Sequence, residues 1–114
     1  MIEELIARVF KLRNESHVAH WKTKSYSEHQ ALGELYDGII DHLDNYVEAH
    51  QGGLGVIGKM PEDVENISKC VRDDIIWLTE NRSKISKGVP ALENILDELT
   101  GLHMKTLYKL ENLR

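Results

Sequence analysis

Four carboxylates in the first half of the chain have the residue type and the spacing of a divalent-metal site. They are Asp37, Asp41, Asp44 and Glu48, and on a helical wheel they fall within one sector of about 60° beside an apolar face. The stretch 25–51 holds six carboxylates and no Lys or Arg, so these acids lack ion-pair partners on their own helix. Close carboxylates repel one another unless a cation neutralises them, and helical bundles use such groups to hold iron or manganese. The pattern predicts a metal ion beside the stripe, or an arginine such as Arg13; a merely solvated acidic face is the alternative.

The histidines lie where ligands for the same ion would be expected. His20 continues the apolar stripe of the first predicted helix, and His17 lies one turn earlier at about 60° from it on the helical wheel. His29 lies in the apolar sector of the second helix, and His103 lies in that of the last. A histidine on an apolar face is either a metal ligand or a hydrogen-bonded core residue, and both interpretations stay open. No Glu is followed by His three residues later, as the di-iron sites inside single bundles require. A metal site would therefore use ligands from two chains, or an unusual set within one bundle that combines His17, His20 and His103.

The elements that must position these residues are helices. Apolar periodicity predicts four amphipathic helices, at about 2–23, 27–51, 61–86 and 90–112. Ser27 begins a capping box, Gly52 and Gly88 suit the position just after a helix, and Pro90 suits a first helical turn. A glycine-rich connection, 52–60, is the strongest break in the pattern. The sequence therefore predicts an all-α fold, a four-helix bundle, with residues 1–114 forming one domain.

The helical wheels also predict which side chains form the core. The predicted core residues are Ile2, Leu5, Ile6, Val9 and Phe10; Leu32, Leu35, Tyr36, Ile39, Ile40, Leu43 and Val47; Val64, Ile67, Val71, Ile75 and Leu78; and Leu92, Ile95, Leu96, Leu99, Leu102, Leu107, Leu110 and Leu113. Ile76 and Trp77 lie off the apolar stripe of the third helix. They predict an exposed apolar patch, and with it an interface between copies of the chain.

Composition narrows the classes of function. The 114 residues are 41% hydrophobic and 29% charged, with a net charge of −5. No apolar stretch approaches the length of a membrane span, and the first residues do not resemble a signal peptide. The single Cys70 excludes an intrachain disulfide framework and suits a reducing, cytoplasmic location. Binding to DNA is not expected, because the chain is acidic and Lys22 and Lys24 alone are too few for a phosphate-binding surface.

The candidate ligands also resemble a known motif. Ala19-His20-Trp21, then His29, then the stretch 40–44 ending in Asp44, and finally Glu48 resemble the ferroxidase signature of the DNA-protection ferritin-like (Dps) proteins. The resemblance covers about residues 9–53. It implies a ferritin-like bundle that is at least dimeric, with iron held between two subunits by His20 and His29 of one chain and Asp44 and Glu48 of the other. It further implies oxidation of Fe(II) by peroxide or oxygen, with Trp21 nearby as an electron donor.

Several positions depart from the pattern of that family. Gly33 stands where the family usually has an aspartate ligand, and Ala49 stands where an arginine normally follows the last Glu. The connection 52–60 replaces a short helix, and its nine residues reach at most about 30 Å. The second helix is about 37 Å long, so helix ends would have to unwind for the chain to return along the bundle. We favour this ferritin-like crossover over a simple up-and-down bundle.

Two functions follow as hypotheses. The first is a metal-binding Dps-like protein; if it is an enzyme, it is a ferroxidase. Iron is the expected metal, and manganese or zinc are alternatives. Further ligand candidates are His17, Asp37 and Asp41. The second is a non-catalytic helical dimer with a structural or protein-interaction role. In that case the histidines are hydrogen-bonded core residues, and the acids pair with Arg13, Lys22 or Lys24 of a partner chain. Both hypotheses require a homodimer or a larger homo-oligomer.

Overall fold

Four helices pack around one hydrophobic core in a computed structural model of the chain, which describes residues 1–61 and 71–113. The helices are α1 (Ile2–Lys22), α2 (Tyr26–Leu54), α3 (Val71–Ser86) and α4 (Pro90–Asn112). All regular secondary structure within those two ranges is helical. The predicted all-α four-helix bundle is therefore confirmed. The predicted start of the third helix, with Val64 and Ile67 in the core, lies outside the described residues.

The order of the helices around the bundle shows how the chain is connected. α2 packs against α1 and α4, α3 packs against α4, and α1 and α3 make a smaller contact. Ile2, Leu54 and Ile85 line one cavity, so α2 and α3 both end where α1 begins. At the other end, Val71, the first described residue of α3, lines a groove together with Ala19 near the end of α1.

α2 and α3 therefore run parallel, and the chain must return along the bundle between Leu54 and Val71. One such crossover is the connectivity of ferritin-like bundles, and it is the arrangement that we favoured over an up-and-down bundle.

Both ends of α2 differ from the prediction. The residue that caps the helix is Ser25 rather than Ser27, because Ser25 has an extended backbone and its Oγ accepts the Glu28 N–H at 3.3 Å. At the other end α2 continues through Gly52 to Leu54, and it ends where Gly55 takes a φ of 101°. A glycine does not by itself end a helix; the positive φ does, since it breaks the repeat of helical dihedrals.

The turn from α3 to α4 places a lysine where a glycine is expected. Lys87, not Gly88, is the first residue after α3, and its φ is 52°. The Gly88 N–H then donates to the Ser83 carbonyl at 3.0 Å, which closes a Schellman-type helix end. α4 begins at Pro90, as predicted.

The core agrees with the predicted apolar stripes in most places. Its fully buried side chains include Leu5, Leu35, Ile39, Leu43, Leu96 and Leu99. Phe10 was wrongly placed in the core: its side chain is 50% exposed, because it lies on the solvent-facing edge of the α1 stripe. Tyr46, which the wheel did not select, is fully buried, and its hydroxyl is 2.7 Å from Ser86 Oγ.

The predicted apolar patch on α3 is only partly present. Ile76 is exposed as expected. Trp77 is half-buried instead, and the Arg8 guanidinium lies 4.4 Å from its ring centroid. None of the helices in the described part of the chain combines the length and the apolar character that a membrane crossing needs.

Candidate functional site

Two histidines join the end of α1 to the beginning of α2. His20 lies in the last turn of α1 and His29 in the first turns of α2. His20 Nδ1 is 2.6 Å from the His29 carbonyl oxygen, and His29 Nδ1 is 2.8 Å from the His20 carbonyl oxygen. Their rings stack with centroids 3.6 Å apart and planes 18° apart. The short connection between α1 and α2 thus holds the two imidazoles in one fixed arrangement.

This arrangement determines which nitrogen of each ring carries the proton. A carbonyl oxygen only accepts hydrogen bonds, so both Nδ1 atoms must donate. In a neutral imidazole the other nitrogen, Nε2, then holds a lone pair. Metal-binding histidines are commonly oriented in this way, by a hydrogen bond from the second ring nitrogen to a backbone carbonyl. His20 and His29 therefore present two Nε2 atoms that suit metal coordination.

Gly33 provides the space for this pair. A Cβ atom built at Gly33 would lie 3.2 Å from His20 Cε1 and 3.4 Å from His20 Nδ1. The aspartate that the resemblance leads one to expect at this position would push the His20 ring away from the His29 carbonyl. The glycine is thus explained by the close approach of His20, and its signal in the sequence is a glycine one helical turn after His29.

A cluster of stacked rings from α1 and α2 lies next to the histidine pair. His17 stacks on Tyr36 with ring centroids 4.0 Å apart and planes 13° apart, and its ring centroid is 4.3 Å from that of Trp21. Trp21 is 68% exposed. The Arg13 guanidinium lies 5.5 Å from the Tyr36 ring centroid. Among the residues that the structure describes, Arg13 forms no ion pair with the acidic stripe, although the sequence analysis named it as a cation that could neutralise these carboxylates.

An open cleft of about 250 Å³ lies beside the histidine pair. Of the predicted ligands, His20, His29 and Asp37 line it, together with Gly33 and Glu34. Glu34 is already paired with Lys109 of α4. Within residues 1–61 and 71–113, no three His, Cys, Asp or Glu side chains are close enough to form a metal site on their own.

The rest of the acidic stripe lies far from the histidines in the same chain. Asp44 and Glu48 follow His29 by 15 and 19 residues, which places them about 22 and 28 Å along α2. Asp41 lies between Asp37 and Asp44, and all four stripe carboxylates are exposed. None of the four forms an ion pair with another part of the described chain. One chain therefore holds the two halves of the predicted ligand set apart.

His103 does not belong to this cluster. It is 1% exposed in the middle of the bundle, and its Nδ1–H donates to the Leu99 carbonyl at 2.9 Å. Burial lowers the pKa of His103, and the hydrogen bond to Leu99 offsets only part of this effect. It packs near Leu5 and Arg8 rather than near His17, which is about 13 Å further along α1 than Arg8. The alternative of a site that combines His17, His20 and His103 within one bundle is therefore wrong.

A buried ion pair lies next to His103, and no pattern in the sequence predicted it. Arg8 Nη1 lies 3.1 Å from Asp74 Oδ1, and the Asp74 side chain is only 3% exposed. This pair connects α1 to α3, which otherwise share few contacts. On a helical wheel each residue alone looks like a surface charge, because only the packing of α3 on α1 brings them together.

Most of the chain is similar to known protein sequences. It is 29% identical over 98 residues to an uncharacterized 14.6 kDa protein in the mobD-ri intergenic region of Enterobacteria phage T4, over 82% of this chain and 75% of that protein. No solved structure matches. A family model described as a family of unknown function (DUF5856) matches residues 20–110, from His20 nearly to the end of α4. The chain therefore belongs to the DUF5856 family.

Proposed function

We propose that two copies of this chain together bind a divalent transition metal. In this proposal His20 and His29 of one copy and Asp44 and Glu48 of the other are the ligands. The observation that carries the proposal is the reciprocal hydrogen bonding of the two histidines, since it makes Nε2 the nitrogen with the lone pair in each neutral ring, and both residues line one cleft. The unpaired acidic stripe on α2 is the second support, because it needs cations that the described chain does not supply.

The chemistry of the donor set suits iron first, and manganese or zinc as alternatives. Imidazole nitrogens combined with carboxylate oxygens bind all three of these metals. The separation of about 22 Å between His29 and Asp44 in one chain requires a second copy, and a two-fold axis would then create two equal sites. Asp37 already lines the cleft, and His17 and Asp41 lie next to the proposed ligands, so these three are further candidates.

With Fe(II) as substrate, the site would support oxidation by peroxide or oxygen. Two Fe(II) ions give one electron each to hydrogen peroxide, which takes up two protons and leaves as two water molecules. His20 and His29 would bind the substrate ion, and the carboxylates would neutralise its charge. Trp21 is exposed, and its ring centroid is 4.3 Å from that of His17, which supports a role for Trp21 as an electron donor in this proposal.

Mixing two inactive variants tests whether the site is shared between chains. Fe(II) is titrated under anaerobic conditions, and peroxide is then added, for wild type, His20→Ala and Asp44→Ala. Each variant alone should retain no iron. After the two are unfolded and refolded together, random dimers should recover roughly one quarter of the wild-type sites, because each mixed dimer contains one intact site. Iron retention by both single variants, or no retention by wild type, would rule the proposal out.

A structural role for the same residues is the second candidate, and the histidine pair itself favours it. The reciprocal bonds and the packing on Gly33 already connect α1 to α2 without any metal, and the described residues contain no group of three metal donors. The protein would then be a non-catalytic helical dimer in which Arg13, Lys22 or Lys24 of the partner neutralise the acids. A melting temperature that does not change with Fe(II), Mn(II) or Zn(II) would favour this candidate, since a bound metal stabilises the folded state.

The cellular location and the binding partner form part of the same proposal. A cytoplasmic location suits the single Cys70 and a site for reduced iron. DNA is not proposed as a partner, because the net charge is −5 and the exposed face of α2 carries the acidic stripe. The partner is a second copy of the chain, in a homodimer or a larger homo-oligomer.

A further inference from the structure

The α1–α2 face is the surface that Phe10, His17 and Trp21 of α1 share with Tyr36 and Asp37 of α2. The three α1 residues lie on one side of the helix, because they are spaced by two turns and then by one. His17 stacks on Tyr36, so this side of α1 adjoins α2. Phe10 is 50% exposed and Trp21 is 68% exposed. Exposed aromatic rings on one face are typical of a surface that binds another protein.

The ligands of the proposed metal site determine where a two-fold axis would cross this face. This step rests on the proposed function. With His29 of one copy beside Asp44 and Glu48 of the other, the two α2 helices run antiparallel, and the axis crosses α2 midway between these positions. That midpoint is about residue 37, and His29 lies about 12 Å from it along the helix. The exposed side chain at this point is Asp37.

Asp37 at the axis requires a neutralising cation. A two-fold axis brings a residue beside it close to the same residue of the other copy, so two Asp37 carboxylates would face each other. Packed helices lie about 8–10 Å apart, and like charges opposed at that separation repel. Among the described residues, Asp37 has no ion-pair partner within its own chain.

Arg13 is held at the same level of the bundle. Its guanidinium lies 5.5 Å from the ring centroid of Tyr36, which precedes Asp37 in the chain. Its Nη1 donates to Asn14 Oδ1 at 3.3 Å, and within residues 1–61 and 71–113 no carboxylate forms an ion pair with it. A guanidinium over an aromatic ring still presents N–H donors at its edge, so Arg13 can bind a carboxylate from outside the chain.

We propose that a second copy of the chain binds to the α1–α2 face about this axis, with Arg13 of each copy paired to Asp37 of the partner. Symmetry makes two such pairs, so two guanidinium groups and two carboxylates meet at the axis and their charges cancel. Phe10 precedes Arg13 on α1 and Trp21 follows it, so both rings add apolar contact around the pairs. The dimer therefore forms without metal, and a metal ion binds to it afterwards.

Cross-linking tests the position of the axis. Cys70 is the only cysteine, so in a Cys70→Ser background a short bismaleimide can join only thiols that are introduced. Asp37→Cys should give covalent dimers in EDTA, because each thiol faces the same thiol of the other copy. Asp44→Cys, the same change on the same acidic stripe, is the matched control: its two thiols would lie about 20 Å apart and should not be joined. No cross-linking of Asp37→Cys, or equal cross-linking of Asp44→Cys, would overturn the proposal.

Exchanging the two charges tests the role of Arg13. Analytical ultracentrifugation in EDTA measures the Kd of the dimer. Arg13→Asp should raise this Kd about 100-fold, about tenfold for each of the two pairs, because it opposes like charges. Adding Asp37→Arg should restore the Kd to within about tenfold of wild type, since the exchanged charges pair again. Lys105→Asp, the same charge change at an exposed position of α4, should leave the Kd unchanged. A monomeric wild type, or a Kd that Arg13→Asp does not alter, would contradict the proposal.

Iron retention separates this inference from the proposed function. Both experiments above are done in EDTA, so their results do not depend on metal binding. A wild type that cross-links through position 37 but retains no Fe(II) supports the interface and removes the metal site. A wild type that retains Fe(II) through His20 and Asp44 but does not cross-link through position 37 keeps the metal site and overturns the interface.

Discussion

Replacing Gly33 by alanine tests whether position 33 is a glycine, at a cost in helix stability, because His20 packs against it. An alanine in a helix interior is usually more stable than glycine by about 1 kcal/mol, because the glycine backbone loses more conformational freedom on folding. At Gly33, however, the new Cβ would lie 3.2 Å from His20 Cε1. The ring cannot easily move, since its Nδ1 is bonded to the His29 carbonyl and its face is stacked on the His29 ring.

The net effect can be worked out from these opposing contributions. Overpacking by one methyl group typically costs about 1–3 kcal/mol, and a displaced His20 also loses a hydrogen bond worth about 1 kcal/mol. Against the gain of about 1 kcal/mol from helix propensity, Gly33→Ala should lower the free energy of unfolding by about 1–3 kcal/mol. In a His20→Ala background the obstacle is absent, so the same change should raise the free energy of unfolding by about 1 kcal/mol. The two sites should therefore be coupled by about 2–4 kcal/mol.

Urea denaturation of the two single variants and the double variant measures this coupling. Gly101→Ala is the matched control: Gly101 is also helical, and a Cβ there would meet nothing within 4 Å. It should raise the free energy of unfolding by about 1 kcal/mol in either background. If Gly33→Ala stabilises the wild-type protein as much as Gly101→Ala does, the close approach of His20 does not constrain position 33 and the reasoning fails.

Three further predictions concern other parts of the fold. Lys87→Gly should raise the free energy of unfolding by about 1 kcal/mol in thermal denaturation, because Lys87 has a positive φ that glycine adopts without strain; an unchanged melting temperature would contradict this. Tyr46→Phe should lower it by about 1–3 kcal/mol in urea, since Ser86 Oγ then stays buried without its partner, and adding Ser86→Ala should restore part of the loss. The hydrogen bond from Arg82 lowers the pKa of Asp97, and burial raises this pKa by a smaller amount. The ionised Asp97 therefore stabilises the fold above its ordinary pKa of 3.8, and this stabilisation is lost as the pH falls below that value. Asp97→Asn should thus lie below wild type in unfolding free energy at pH 7, and the difference should shrink toward pH 3; a constant difference would refute the assignment.

Local patterns in the sequence were sufficient for the helices and for most of the core. Apolar residues repeat with the helical period, and Pro90 marks the start of α4 because its ring suits only a first turn. The same reasoning failed at Gly52, which is helical, and at Phe10, which is exposed. A wheel shows which residues share a face, but it does not show where the neighbouring helix ends or how much of that face it covers.

The candidate site was also predicted only in part, because a sequence pattern shows residue types and spacing but not contacts between helices. His20, His29 and the acidic stripe stand out by residue type and spacing, and the charge imbalance of stretch 25–51 is a property of the sequence alone. The reciprocal bonds between the histidines are not, because they depend on the conformation of the short connection between α1 and α2. The role of Gly33 likewise became visible only when His20 was found packed against it.

Local sequence was enough to predict the helical class, the positions of the apolar stripes and the unneutralised acids on α2, because each depends on residues within a few turns of one another. Three features depend on how the helices pack: the crossover that makes α2 and α3 parallel, the burial of the Arg8–Asp74 pair, and a buried His50 Nδ1 that has no hydrogen-bond partner among the described residues. Each of these depends on which helix lies beside which, and that choice is made by packing between segments far apart in the chain.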